Sequence, residues 1–214
     1  MRCPTLNELP TPPDGKSGWP WTEGSRQPAK QPPAGNRWPR ISIVTPAYNR
    51  AGLVEETIRS VLLQGYPDLE YIIIDGASTD GTVEVIRQYS PWLTYWVSEP
   101  DDGQSEAINK GLRKATGDVV AYINTDDLYT PGALAHVGRR FSDGAVRWLS
   151  APGLLFGPGV GPGYKWPAAL PRRKWRWLVT NPLCQSSTFW RRELMREAGE
   201  FDTELRISMD YEYW

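Results

Sequence analysis

Cysteine, histidine and an excess of either charge are what this chain has least of. Two cysteines and one histidine occur in 214 residues. Cys3 sits among prolines near the start and Cys184 lies far away beside Gln185, so neither a disulfide framework nor a cysteine-ligated zinc site is supported. His136 shares a predicted helix with Leu134, Val137 and Phe141 and reads as a surface or boundary residue, because imidazole catalysis needs a partner that the sequence does not offer. The 24 basic and 25 acidic side chains nearly cancel. That balance argues against nucleic acid as the main partner, whose footprint is strongly basic. No apolar run is long enough to span a bilayer, and Met1-Arg2-Cys3-Pro4 lacks the apolar core of a signal peptide. The folded region is therefore expected in the cytoplasm, free or against the inner face of a membrane.

Proline is abundant but uneven. Nine of the 20 prolines fall in the first 39 residues, mixed with Gly, Ser, Gln and Lys. Such a stretch holds too little apolar surface to offset the entropy of ordering, so residues 1–39 are expected to form a disordered arm and residues 40–214 one domain.

Periodicity begins at Arg40. Apolar runs at Ile41–Pro46, Leu69–Asp75, Leu93–Val97 and Val119–Ile123 read as strands. Between them lie helical patterns: Leu53 to Leu63; a segment after Asp80, its expected N-cap; a segment with Ala107, Ile108, Leu112 and Ala115; and one opening at Thr130-Pro131, read as cap and first-turn proline. Alternating strands and helices imply an α/β fold with a mostly parallel sheet flanked by helices.

Several predicted strands end in polar loops, and open α/β sheets bind ligands at the carboxyl ends of their strands. Asn124-Thr125-Asp126-Asp127 places two adjacent carboxylates after the Val119–Ile123 run. They read either as a hard-cation site completed by substrate phosphates or as caps for the following helix. Asp75 ends another run, in a turn of small residues. With Asp80 expected to cap the helix, Asp75 is free for another role.

Taken together, Thr45-Pro46-Ala47-Tyr48-Asn49, Asp75 to Thr82, Ser98 to Gly111 and Asn124 to Asp127 resemble glycosyltransferase family 2, inverting enzymes of the GT-A fold. The likeness runs from about Arg40 to Trp214. It implies a donor site for a nucleoside-diphosphate sugar, UDP-linked by expectation, with Pro46, Tyr48 and Asn49 in the nucleotide-facing loop and Asp75 on the base. Gln104, Asn109 and Lys110 would line the sugar-nucleotide pocket, although Lys110 reads equally as a solvated helix charge. Asp126 would face the ribose and Asp127 a Mg²⁺ or Mn²⁺ ion.

Asp210 resembles the family's late catalytic aspartate, with Glu212 as the alternative base. Gln185, Ser186 and Trp175 would contact the acceptor or the donor sugar. The resemblance further implies a saccharide, lipid-linked or other hydroxyl acceptor, a place in polysaccharide or glycoconjugate synthesis, and acceptor-binding elements beyond Trp214. Without those elements Tyr213 and Trp214 are expected to be exposed. The irregular segment Gly153–Trp177, ending in Arg172-Arg173-Lys174-Trp175-Arg176-Trp177, suits sugar rings, phosphate or a membrane surface. A catalytically silent sugar-nucleotide-binding or scaffold protein is the competing reading.

Overall fold

Alternation within the strands builds two covered faces. The computed structural model describes residues 4, 8–10, 37–156, 165–166, 181, 183–205 and 209–213. The elements β1 (Ile41–Ala47), α1 (Val54–Leu62), β2 (Leu69–Asp75), α2 (Thr82–Tyr89), β3 (Tyr95–Ser98), α3 (Gln104–Lys114), β4 (Val119–Tyr122) and α4 (Ala133–Phe141) follow in the expected order. Shorter pieces come next: β5 (Trp148–Ser150), β6 (Gly153–Leu154), β7 (Lys165–Trp166), β8 (Thr188–Arg191), α5 (Met195–Ala198) and α6 (Met209–Tyr213).

Six strands form one sheet in the order β3-β2-β1-β4-β8-β5. The first four run parallel, while β8 is antiparallel to both β4 and β5. The chain winds outward from β1 through β2 to β3 and then returns to the other side of β1 as β4. That reversal opens a crevice at the carboxyl ends of β1 and β4.

Odd and even positions go to opposite faces. Ile41, Ile43, Tyr71, Ile73, Val119 and Ala121 share a core with α1, α2 and α4. Val44, Ile72, Ile74, Val120 and Tyr122 share another with Ile108 and Leu112 of α3, Trp190 of β8, Phe201 and Met209. Helix α3 lies close on β1 because Gly111 has no side chain. A methyl group there would overlap Val44 Cγ1 and stand 3.0 Å from its Cγ2. Glycine to alanine within a helix normally stabilises by up to about 1 kcal/mol. Here Gly111→Ala should instead destabilise by about 1–3 kcal/mol through overpacking. Urea unfolding of parent and variant checks the sign, and a stabilised variant would refute the close approach.

At the amino ends of the strands a buried carboxylate ties three elements together. Glu70, 3% exposed, accepts hydrogen bonds from Ser42 Oγ, from Thr116 N (2.7 Å) and Oγ1 (3.0 Å), and from Arg40 Nη2 (3.2 Å). Four donors offset its desolvation, so it braces β1, β2 and the turn into β4.

Some expectations are corrected. Helix α4 starts at Ala133, not at Thr130-Pro131. Gly132, at φ 81°, precedes it without a side-chain cap. Gln64, just after α1, does the capping instead. Its Oε1 accepts from Leu134 N (3.3 Å) and its Nε2 donates to Thr130 O (3.1 Å). Asp80 likewise does not cap α2 from the N-cap position, which Gly81 holds at φ 101°. Asp80 closes the turn instead, accepting from Thr82 N and Oγ1 and from Ala51 N.

Residues before Arg40 also contribute to the core. Leu9 and Trp38 are buried in it, Trp38 stacks on Tyr66, and Arg59 Nη1 donates to Pro10 O (2.7 Å). These positions are not part of a solvated arm. Tyr213 is not left exposed either. It is half-buried, stacking on Phe201 with centroids 3.9 Å apart. Trp214 lies outside the described residues.

Candidate active site

Loops following β1, β2, β3 and β4 converge at the carboxyl edge of the sheet around a cavity of about 1090 Å³. Pro46 and Tyr48 line it from the end of β1, Gly76 and Ala77 from the loop after β2, Asp101 from the β3–α3 loop, Gln104 from the start of α3, and Asn124 and Asp126 from the loop after β4. A second cavity, of about 640 Å³, opens on the antiparallel side. Asp127, Asp210, Gln185 and Ser186 line it together with Tyr129, Asn181 and the apolar Leu154, Leu155 and Phe156.

The two neighbouring aspartates line adjoining cavities that meet at Asn124. Asp126 is exposed to the larger cavity, whereas Asp127 is half-buried in the smaller. Neither caps α4, which starts six residues beyond Asp127. Burial, with the negative charge of Asp126 beside it, raises the Asp127 carboxyl to about 6. A divalent cation beside it would favour the ionised carboxylate. No cluster of three or more His, Cys, Asp or Glu able to hold a metal occurs among the described residues. The pair fits a hard cation whose remaining ligands are phosphate oxygens and water, the usual arrangement for Mg²⁺.

Asn124 stands between the cavities and belongs to both. Its Oδ1 accepts from Gln104 Nε2 (2.6 Å) and its Nδ2 donates to Gln185 Oε1 (3.3 Å), while Gln185 Nε2 donates to Tyr122 O (2.8 Å). This amide chain joins the parallel and antiparallel halves of the sheet. Thr57 Oγ1, from α1, donates to Asp127 O (2.9 Å) and fixes the backbone there.

Asp210 is half-buried, and Asn181 Nδ2 donates to its Oδ2 (3.0 Å). Glu212, two residues further along α6, is exposed and lines neither cavity. His136 is exposed, as expected.

Several of the expected pocket residues serve the scaffold instead. Asp75 is fully buried, and its carboxylate accepts from Ser78 N (2.9 Å), Ser78 Oγ (2.5 Å) and Ser98 Oγ (2.7 Å). It is not free for another role. Asn49, at φ 50°, binds the same turn, its N donating to Ser78 Oγ and its Oδ1 accepting from Thr79 N. Asn109 is buried and clamps Phe201, accepting from its N (2.9 Å) and donating to its O (2.8 Å). Lys110 pairs with Glu99 (3.1 Å) and Glu106 (3.4 Å) and donates to Pro100 O, holding the β3–α3 loop without lining the cavity. Trp175 lies outside the described residues.

Sequence reasoning missed Asp101, Asn124, Tyr129 and Asn181. Asn124 opens the motif that holds the aspartate pair, a position that could have marked it. Tyr129 is buried with no hydrogen-bond partner for its Oη among the described residues. Nothing in the sequence singles that out.

A mostly parallel sheet with a crevice at its switch point, carboxylates at one strand end and loops from four strands around a cavity define an α/β fold with a ligand site at the carboxyl ends of its strands. The family model for glycosyl transferase family 2 matches residues 42–151, just over half of the chain, and the chain belongs to that family. It is 39% identical over 92 residues to the putative teichuronic acid biosynthesis glycosyltransferase TuaG of Bacillus subtilis, a match covering 42% of this chain and 36% of that protein. The matched segments thus span about a third of the length of several such relatives.

Among solved structures, mannosyltransferase PcManGT from Pyrobaculum calidifontis in complex with GDP-Man and Mn²⁺ aligns with a TM-score of 0.60 and 26% identity, over 87% of this chain and 54% of that one. TarS of S. aureus in complex with UDP-GlcNAc aligns with a TM-score of 0.66 at 19% identity, over 81% and 52%. The latter likeness concerns the fold, which is GT-A. No helix among the described residues is long and apolar enough to cross a membrane.

Proposed function

We propose that this chain carries the donor site and the general base of an inverting glycosyltransferase, moving a sugar from a nucleoside-diphosphate sugar to an acceptor hydroxyl. The observation that carries the reading is the division of the adjacent aspartates between two cavities, with Asp210 beside the second. The donor lies in the larger cavity, its ribose at Asp126 and its diphosphate toward Asp127, and the acceptor approaches through the smaller one. The acceptor oxygen attacks the anomeric carbon as the bond to the diphosphate breaks, and its proton passes to Asp210. A Mg²⁺ or Mn²⁺ ion held by the aspartate pair would stabilise the negative charge on the departing nucleoside diphosphate.

UDP is the preferred carrier in this reading, and the product belongs to polysaccharide or glycoconjugate synthesis. The teichuronic acid assignment in the name of TuaG supports the latter. The GDP-Man and Mn²⁺ bound by PcManGT support a nucleotide-sugar donor with a divalent cation. The domain is placed at 40–214, with Trp38 and Leu9 packed onto it, and cytoplasmic or at the inner membrane face. Calorimetric titration with UDP- and GDP-sugars, with and without Mn²⁺, tests the donor site. Binding that strengthens with the cation is expected. No binding of any nucleotide sugar under either condition would refute it, and binding without transfer to any acceptor would favour the silent binder.

A further inference from the structure

The donor cavity needs a group that reads the nucleobase, and Asp75 is not available for it. Its carboxylate is fully buried, engaged by three hydrogen bonds from Ser78 and Ser98, and does not line the cavity. Another carboxylate does. Asp101, from the β3–α3 loop, lines the cavity and leans over Gly76, the residue that follows Asp75. A Cβ on Gly76 would lie 2.8 Å from Asp101 Oδ2, so the absence of a side chain at 76 is what admits Asp101 to this place.

Its two oxygens are not equivalent. Oδ1 accepts from Gly103 N (3.0 Å), which fixes the carboxylate plane, and no donor among the described residues reaches Oδ2. Burial holds the Asp101 carboxyl above its usual range, the Gly103 hydrogen bond offsetting this only in part. Such a group gains from a further N–H donor.

Position agrees with the chemistry. Asp126 follows β4, and Asp101 follows β3 on the far side of β1 and β2. Because Asp101 leans over the end of β2, strands about 4.8 Å apart put its carboxylate roughly 10 Å from the end of β4 across the cavity. A nucleoside diphosphate with its ribose at Asp126 therefore extends its base toward Asp101.

Resting on the donor-site reading above, we propose that Asp101 Oδ2 is the base-reading group, accepting a hydrogen bond from a nucleobase that presents a ring N–H on its pairing edge. An ionised carboxylate only accepts. Uracil offers N3–H and guanine offers N1–H and its amino group, whereas cytosine and adenine turn an unprotonated ring nitrogen to the same place. Asp101 thus favours uridine and guanosine donors and disfavours cytidine and adenosine ones.

The test is calorimetric titration of the full chain with UDP, GDP, CDP and ADP in the presence of Mn²⁺. The parent should bind UDP or GDP more tightly than CDP and ADP. Asp101→Asn should weaken the favoured nucleotide by about 10- to 100-fold, the range of a charge-assisted hydrogen bond. It should also collapse the ratio of UDP to CDP, because an amide can turn its NH₂ toward the cytosine ring nitrogen. Gly76→Ala, which keeps the carboxylate but displaces it, should lower the same ratio. Thermal unfolding of both variants near the parental temperature separates this from misfolding. If both variants fold and keep the parental UDP to CDP ratio, or if the parent shows no preference among the four, the Asp101 assignment is wrong while the donor site stands. If the parent binds no nucleoside diphosphate, the donor-site reading falls and takes the assignment with it.

Discussion

Asp210→Asn should bind nucleotide sugar as the parent does and lose transfer by about 10²- to 10⁴-fold, the usual worth of a general base. Asp210 lies on the cavity opposite the donor loops, which Gln185 and Ser186 also line, so its substitution leaves the donor contacts untouched. Asparagine preserves shape and still offers an oxygen to Asn181 Nδ2, which donates to the carboxylate at 3.0 Å. A folding defect is therefore a poor explanation for lost turnover. Calorimetry with the donor and a coupled assay of nucleoside diphosphate release separate the two quantities. Parental turnover in Asp210→Asn together with its loss in Glu212→Gln would move the base to Glu212, despite that residue's exposure.

Removing the other half-buried carboxylate should push stability and donor affinity in opposite directions. The Asp127 carboxyl is raised to about 6 by burial and by Asp126. A carboxyl group whose folded value lies above its unfolded value of about 4 contributes stability that is complete below pH 4 and is lost as the pH climbs through 6. Ionised Asp127 thus costs the cation-free protein on the order of 2 kcal/mol at neutral pH, reduced where solvent reaches it. Asp127→Asn should match the parent near pH 4 and exceed it in stability at pH 7.5, without cation. With Mn²⁺ and nucleotide sugar the order should reverse, because only the parent gains from the ligand. Denaturant unfolding at the two pH values, with and without donor and Mn²⁺, reads all of these differences. Parallel pH profiles for parent and variant would remove the assigned strain, and equal cation-dependent donor affinity would remove the metal role.

The regular part of the fold could be read from residue patterns because both of its signals are local. Alternation at Ile41–Ala47 and Leu69–Asp75 sends neighbouring side chains to two cores, and the 3.6-residue pattern at Val54–Leu62 places α1 against one of them. The cavity loops were legible for the same reason, since Pro46, Tyr48 and Asp126 lie near the ends of their strands and Gln104 opens α3. Interactions spanning many residues were not. Asn109 looked like a pocket residue because its partner, Phe201, is 92 positions away. Asp75 looked available because Ser98, on the neighbouring strand, could not be seen to reach it. Gln64 caps a helix other than its own. A motif fixes which side chains gather at a strand end, but burial decides which of them face the ligand.

Glu70 and its four donors sit at the amino ends of the strands, away from both cavities. That separation bears on how the family diversifies. A lineage, or an engineer, can exchange the β3–α3 loop or the segment before β8 as a cassette without loosening the clasp that holds the sheet in register. New donor or acceptor preferences can then be tried at one rim of the sheet while folding remains anchored at the other.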